Sequence, residues 1–395
     1  MIPGAAVYHR WLAVVAMCAA EFARAGAWSS EPVLGLQTDY STNPALALAG
    51  HTANVDAALL IDAPTTYTGN AWSLSLEPSA RLTDNSGYTS LVSNYQHFAA
   101  VGEFDTERNT LKVTALAQRD SSLFQDYNFN GSVGVRQDTA LADVSWVRAL
   151  TERGNLNVDA SYSRVRYGQS TGASTLTDYG YASASPTLSW QISELTSVTL
   201  LAGFSLYKAL DDRTQSSDSN LELGFVRQFA EQWLVTARAG VSREKDQIKE
   251  YFGPFYLGTL KSSTGGSVFS VNATHQGERI ATTLLASRSR VPSGFAFLSR
   301  RDRYEVQANY GYTQRWTLQG YVRYRSEQDP QFFVPVVDRK YVDLGLAAAW
   351  LATEHWTLTM TVSHVTEKLG PPDVRVSESA LSVSLARHFG RIEWH

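Results

Sequence analysis

Beyond its first 27 residues the chain alternates apolar and polar side chains with a period of two, a pattern that admits strands and little else. Trp356, Leu358, Met360 and Val362 interleave with Thr357, Thr359, Thr361 and Ser363. Trp233, Val235, Ala237, Ala239 and Val241 interleave with Leu234, Thr236, Arg238, Gly240 and Ser242. Val198 to Leu206 and Val342 to Trp350 repeat the pattern. Neighbouring side chains of a strand point to opposite faces, so each segment gains one apolar and one polar face. No convincing 3.6-residue period appears in this region, and the predicted fold class is all-β.

The connections sort by parity. About 18 alternating segments can be counted, with about 16 the alternative even number. Short polar turns near residues 105–109, 151–154, 193–196, 230–232, 275–277, 313–315 and 352–354 take turns with longer polar stretches at 121–136, 168–177, 208–219, 242–266, 291–302, 326–339 and 366–377. Copies of one phrase, an aromatic followed by a polar step with Glu or Gln and then a strand, mark the short turns about 40 residues apart. Even strand number, short turns at one end and long loops at the other describe an up-and-down transmembrane barrel. In hydrocarbon every backbone N–H and C=O needs a partner within the protein, so strands cross a membrane only as a closed barrel. The expected location is therefore the cell outer membrane, with both termini periplasmic and lipid and lipopolysaccharide as neighbours.

Other classes fall away. A net charge of -4 gives no basic face for nucleic acid. No stretch beyond the N-terminus approaches the roughly 18 apolar residues of a membrane helix. The N-terminus carries His9 and Arg10, an apolar run from Trp11 to Ala20, and the small-residue step Ala25-Gly26-Ala27. That arrangement predicts a signal peptide over residues 1–27 and a single barrel domain over 28–395, beginning near Trp28. Cys18 is the one cysteine and falls within the predicted leader, so disulfides and thiolate metal sites are not expected. No cofactor or metal motif is present.

Aromatic residues fall where strands meet turns. Trp72, Trp146, Trp190, Trp233, Trp316, Trp350 and Trp356 flank the short turns, and Tyr167, Tyr207, Phe297 and Tyr324 lie towards the long loops, the arrangement of two interfacial girdles. If the apolar faces meet lipid, the opposite residues line the pore. Candidates are Lys112, Asp159, Glu222, Arg238, Glu305, Gln319, Arg323, Arg325 and Asp343. Both charge signs are present, which predicts weak ion selectivity or a wall suited to sugars, with Arg323, Arg325 and Tyr321 the densest basic strip. Residues 242–266 form the longest predicted loop, and Tyr251, Phe252, Phe255 and Tyr256 in it are candidates for a constriction or a ligand contact. Residues 330–335 could serve similarly.

Enzymatic barrels need particular side-chain groupings. Ser363 and His364 are adjacent and so point to opposite faces, and the acidic pair Asp211-Asp212 has no Asp-His pair beside it. No catalytic activity is expected.

The turn phrases Leu150-Thr-Glu-Arg153 and Leu351-Ala-Thr-Glu354, the phrase Ala117-Gln-Arg-Asp-Ser-Ser-Leu123 and the step Leu176-Thr-Asp-Tyr179 carry a resemblance. The chain resembles a loosely defined group of outer-membrane β-barrel porins of Gram-negative bacteria, some associated with exopolysaccharide or protein-sorting export. The resemblance implies a channel for polar solutes, with saccharide cargo and polysaccharide export within its range. Its alternative is a structural or surface-interaction barrel with a plugged lumen. Members usually end on an aromatic residue read by the barrel assembly machinery, whereas here His395 follows Trp394.

Overall fold

The computed structural model describes residues 26–44, 46, 53–84, 94–121, 136–168, 176–252, 255–294, 296–328, 338–370 and 374–394. Its strands are β1 (Ala27–Ser30), β2 (Val33–Ser41), β3 (Asn54–Asp62), β4 (Thr65–Thr68), β5 (Trp72–Asp84), β6 (Tyr95–Asp105) and β7 (Asn109–Ser121). There follow β8 (Arg136–Ala149), β9 (Gly154–Tyr167), β10 (Tyr179–Ser193), β11 (Thr196–Ala209), β12 (Thr214–Phe229), β13 (Trp233–Phe252) and β14 (Phe255–Gln276). The rest are β15 (Ile280–Pro292), β16 (Leu298–Gly311), β17 (Trp316–Gln328), β18 (Asp338–Thr353), β19 (Trp356–Gly370), β20 (Val374–His388) and β21 (Ile392–Trp394).

From β5 to β20 each strand pairs antiparallel with the next, and β20 returns to β2, Val33 opposite His388 through Ser41 opposite Ala380. That last ladder closes the sheet. The three shortest strands are continuations and not extra staves. The register that sets Val33 of β2 against Asp62 of β3 carries on to Ser30 of β1 against Thr65 of β4. Asp62 against Ser79 of β5 likewise continues as Thr65 against Leu76. Pro32 and Pro64 sit at the two breaks, where a residue without an N–H cannot hold a rung. β21 extends β20 in the same way and pairs Trp394 with Trp28. The barrel is thus a closed antiparallel one of 18 strands, as the alternation predicted.

Lipid-facing character follows from exposure. Leu223, Val241 and Leu346, at 67%, 66% and 71% exposed, stand on one face with Val198, Phe204, Val306 and Val322. Trp316 and Trp350 lie opposite each other near the short turns and stack at 5.8 Å, and Tyr304 and Tyr324 meet at 6.0 Å further along the same outer face. Between Trp316 and Tyr324 at about 3.4 Å per residue and a tilt of about 40° the wall rises roughly 20 Å, close to the apolar band of an outer-membrane barrel.

The two ends differ in reach. At one end the hairpins turn at once. At the other, β13 and β14 run for 20 and 22 residues, about twice the ~10 that cross a bilayer. Residues 242–266, predicted as a loop, are therefore largely paired strand, with Tyr251 opposite Tyr256 and Phe252 opposite Phe255 at the tip. The apolar–polar alternation disappears there because the outward face above the membrane carries Arg243, Lys245 and Gln247 while the buried inward face carries Ser242, Glu244 and Asp246, so both faces are polar. Residues 208–219 tighten likewise to a turn between β11 and β12, with Asp212 at φ 59°. Residues 1–25 of the predicted leader and residues 330–335 lie outside the described residues, while Ala27, its predicted last residue, opens β1.

Candidate functional site

Directly opposed residues share a face, so register carries the outer face around the barrel and fixes the inner one. Lys112 stands between Glu103 and Ser145, Asp159 between Ser145 and Ser185, and Gln319 between Asn309 and Ala347. Glu222 lies opposite Leu201 and Gly240, and Arg238 opposite Gly224 and Ser270. Glu305, Arg323 and Asp343 form one row across β16, β17 and β18, with Arg325 one step above. The structure places all of these candidates on the inner face, and it brings Glu305, Arg323, Arg325 and Asp343 together.

That group is larger than the sequence suggested. Arg301, Arg303, Arg323, Arg325 and Arg339 line adjacent strands and share two carboxylates. Glu305 accepts from Arg303 and, at 3.0 Å, from Arg323, whose other branch lies 3.6 Å from Asp343. Glu327 faces Arg301 at 2.6 Å, Arg325 at 3.4 Å and Arg339 at 3.6 Å. Arg323 packs over the Tyr321 ring at 4.1 Å and Arg325 over Tyr341 at 4.3 Å, which fixes both guanidiniums against the wall. Tyr321 in turn lies across Gly345, where a Cβ would come within 2.3 Å of its ring. Burial alone would raise the Glu327 pKa, but Arg301, Arg325 and Arg339 outweigh it and hold the carboxyl below its ordinary value. Glu367, level with exposed Lys368 above the apolar band, is pushed by burial to about 7.

A second assembly narrows the lumen. The turn between β15 and β16 folds inward over the inner faces of β9, β10 and β11, where Leu298 joins Val165, Tyr179, Tyr207 and Ala209 in a buried apolar cluster. The Tyr207 hydroxyl donates to the Ser293 carbonyl, and the Thr177 amide donates to the Gly294 carbonyl at 2.7 Å. A Cβ at Gly294 would stand 2.7 Å from the Tyr167 hydroxyl, so any larger residue there would require the Tyr167 side chain to shift. Ala296 holds φ 72°, a conformation costing an L-residue about 1–3 kcal/mol that surrounding packing must offset. Tyr167 and Tyr207 thus lie towards the long-loop end as predicted, but face inward and not into a girdle.

On the way in, Arg290 of β15 crosses to β13 and meets Glu244 at 2.9 Å. Glu244, 1% exposed, lies between outward Arg243 and Lys245 and so stands above the apolar band. Burial pushes its pKa up to about 8, Arg290 opposes that, and Asp246 and Asp218 add to it. Asp246 is also raised, chiefly by burial.

The sequence pointed to residues 242–266 for a narrowing. The structure puts Phe255 and Tyr256 exposed at the far tip of the β13–β14 hairpin, 70% and 57%, and the inward turn is the one that carries Ser293, Gly294, Ala296 and Phe297. Its signal was faint: one Gly, one Pro and apolar residues in a stretch that read as an ordinary long loop.

Ser363 and His364 fall on opposite faces as expected. His364 instead meets Ser379 of β20 at 2.9 Å on the exterior, and its other ring nitrogen meets the Thr366 hydroxyl at 3.2 Å. No carboxylate is among its described hydrogen-bond partners, so the imidazole lacks the orienting group of a hydrolase triad. Asp211 and Asp212 pair with Arg213 and Lys208 in water. No group of metal-ligating side chains occurs among the described residues.

No protein-family model matches the chain, and no curated protein matches its sequence. Solved structures do match. The ferric citrate transporter FecA aligns with TM-score 0.51 at 8% identity, over 91% of this chain and 78% of that one. The outer membrane protein OpdK from Pseudomonas aeruginosa aligns with TM-score 0.49 at 14% identity, over 92% and 99%. At such identities the likeness is one of fold.

Proposed function

We propose that this barrel lies in the outer membrane of a Gram-negative bacterium and passes small polar solutes through a lumen narrowed by the β15–β16 turn. The carrying observation is a closed wall that is apolar outside and charged inside. A cylinder of 18 strands is too wide for its own side chains to fill, as in porins of about 16–18 strands. Water therefore fills what the folded-in turn leaves. In this reading the short turns and both termini face the periplasm and the tall strands face outward. Saccharides are the finer candidate cargo, in export or uptake, because the inner wall offers hydroxyls and mixed charge in place of a ring of one sign.

The test is conductance of the purified full-length protein in planar bilayers. Discrete open-channel steps are expected, and a sealed bilayer at saturating insertion would defeat the proposal. A second reading has its own observation: Phe255, Tyr256 and Leu257 stand 70%, 57% and 66% exposed at the tip of the tallest hairpin, an apolar patch of the kind that meets a partner. Under that reading the patch binds even if the lumen is closed.

A further inference from the structure

Where β15 leans across the lumen, a cavity of about 320 Å³ opens in the inner wall between β10 and β15. Its polar lining includes Asp218, Asn220, Glu222, Arg238 and Arg290, with seryl hydroxyls from four strands and Tyr181 beside them. At about 30 Å³ per water it has the room of roughly ten waters, enough for one sugar-sized ring and not for a chain of them.

Two of these side chains are seated by glycines. The amide oxygen of Asn220 lies where a Cβ at Gly203 would stand 1.9 Å away, and Arg238 crosses Gly224, where a Cβ would meet its Cγ at 2.4 Å. The Asn220 amide also donates to Glu222, so both planar groups are laid flat on the wall before any solute arrives. Asp218 Oδ1 and Arg238 Nε are sealed in the wall and have no hydrogen-bond partner among the described residues, so any contact with a solute falls to the other polar atoms of these side chains.

Charge selects the ligand class. Two carboxylates, Asp218 and Glu222, face three guanidiniums, Arg238, Arg288 and Arg290, of which Arg288 is held by Asp302 and Arg290 by Glu244. An anionic solute would meet the carboxylates and a cationic one the guanidiniums. An apolar solute would strip water from the carboxylates and the guanidiniums of the lining and return no hydrogen bond to either. A neutral solute with hydroxyls satisfies both, because each hydroxyl donates to a carboxylate or amide oxygen and accepts from a guanidinium or serine.

We propose that this recess binds one small, neutral, polyhydroxylated ring, a monosaccharide-sized solute, as a saturable station along the lumen. The inference rests on the channel reading only for how the solute arrives. The test is calorimetric titration of the full-length barrel in detergent with glucose, with gluconate as its anionic counterpart and with glucosamine as the cationic one. Saturable heat with glucose, exceeding that with either charged probe, is expected. Asn220→Ala and Gly203→Ala should each weaken binding about tenfold by removing or displacing a seated hydrogen bond, with Lys245→Ala on the outer face without effect. No glucose heat, or tighter binding of gluconate, would overturn the site. Folding of each variant is checked by heat-modifiable gel mobility, and the wild-type titration decides the proposal even if a variant fails to fold. Conductance without glucose binding removes the site and keeps the channel. Glucose binding in a barrel without conductance does the reverse.

Discussion

The hydroxyl of Tyr207 on β11 donates a hydrogen bond to the main-chain carbonyl of Ser293, 3.2 Å away and just beyond the end of β15. Tyr207 is fully buried, so this contact and the apolar cluster around it tie the inward turn to β9, β10 and β11. Tyr207→Phe removes one hydrogen bond, about 1 kcal/mol, and should leave single-channel conductance near that of the wild type. Tyr207→Ala empties the cluster at a cost of about 3–5 kcal/mol and should raise conductance as the turn swings free. Unchanged conductance in the alanine variant would mean that this turn does not narrow the pore.

Glu244 makes the narrowing sensitive to pH. The groups facing it are Arg290 from β15, Asp246 from its own strand and Asp218 from β12. With the turn packed inward its pKa is about 8, against 4.5 for a free carboxyl. A raised carboxyl pKa means that the packed state holds the proton more firmly. Its stabilisation is complete below 4.5 and is lost as pH rises through about 8. Conductance should therefore be higher at alkaline than at mildly acidic pH, and Glu244→Gln should flatten the dependence. A pH profile that is flat in the wild type, or unchanged in the variant, would contradict this.

Gly240 and Gly102 make a paired test of wall packing. A Cβ at Gly240 would lie 1.9 Å from the Leu221 carbonyl oxygen, which is backbone and cannot move without breaking the β12–β13 ladder. At Gly102 nothing lies within 4 Å. Gly240→Ala should lose the heat-modifiable folded band, and Gly102→Ala should keep it. Equal behaviour of the two would be evidence against this register.

Glu327 balances three arginines. Glu327→Gln would leave Arg301, Arg325 and Arg339 without their shared carboxylate, a costly change because the uncompensated charges stay near one another on a partly desolvated wall. If the variant inserts, its reversal potential in a salt gradient should move towards anions. A shift towards cations, or none, would show that the cluster lies off the conduction path.

The barrel was legible in the sequence because lipid enforces alternation: Trp356 to Val362 cannot be read any other way. Inner-face residues such as Arg323 followed from the same parity. What escaped were regions that lipid does not touch. Above the membrane β13 loses its alternation at Ser242, so a tall hairpin read as a loop. The inward course of the chain at Ser293 depends on Tyr207, 86 residues away, a contact that no local pattern encodes. The carboxylate sharing at Glu305 and Glu327 was likewise hidden, since it joins side chains from neighbouring strands that only register brings together.

The return of β20 to β2 sets an order of events. Every ladder away from this seam joins segments close in sequence, but at the seam Gln37 donates to Ser382 across 345 residues of chain. Bringing such distant ends together costs about 5 kcal/mol in chain entropy if the intervening residues are unstructured, and far less once hairpins have zipped them into a curved sheet. Assembly is therefore expected to proceed around the wall and end at the seam. The short continuations below it, where Trp28 pairs with Trp394, add rungs to the one joint that sequence proximity does not help to form.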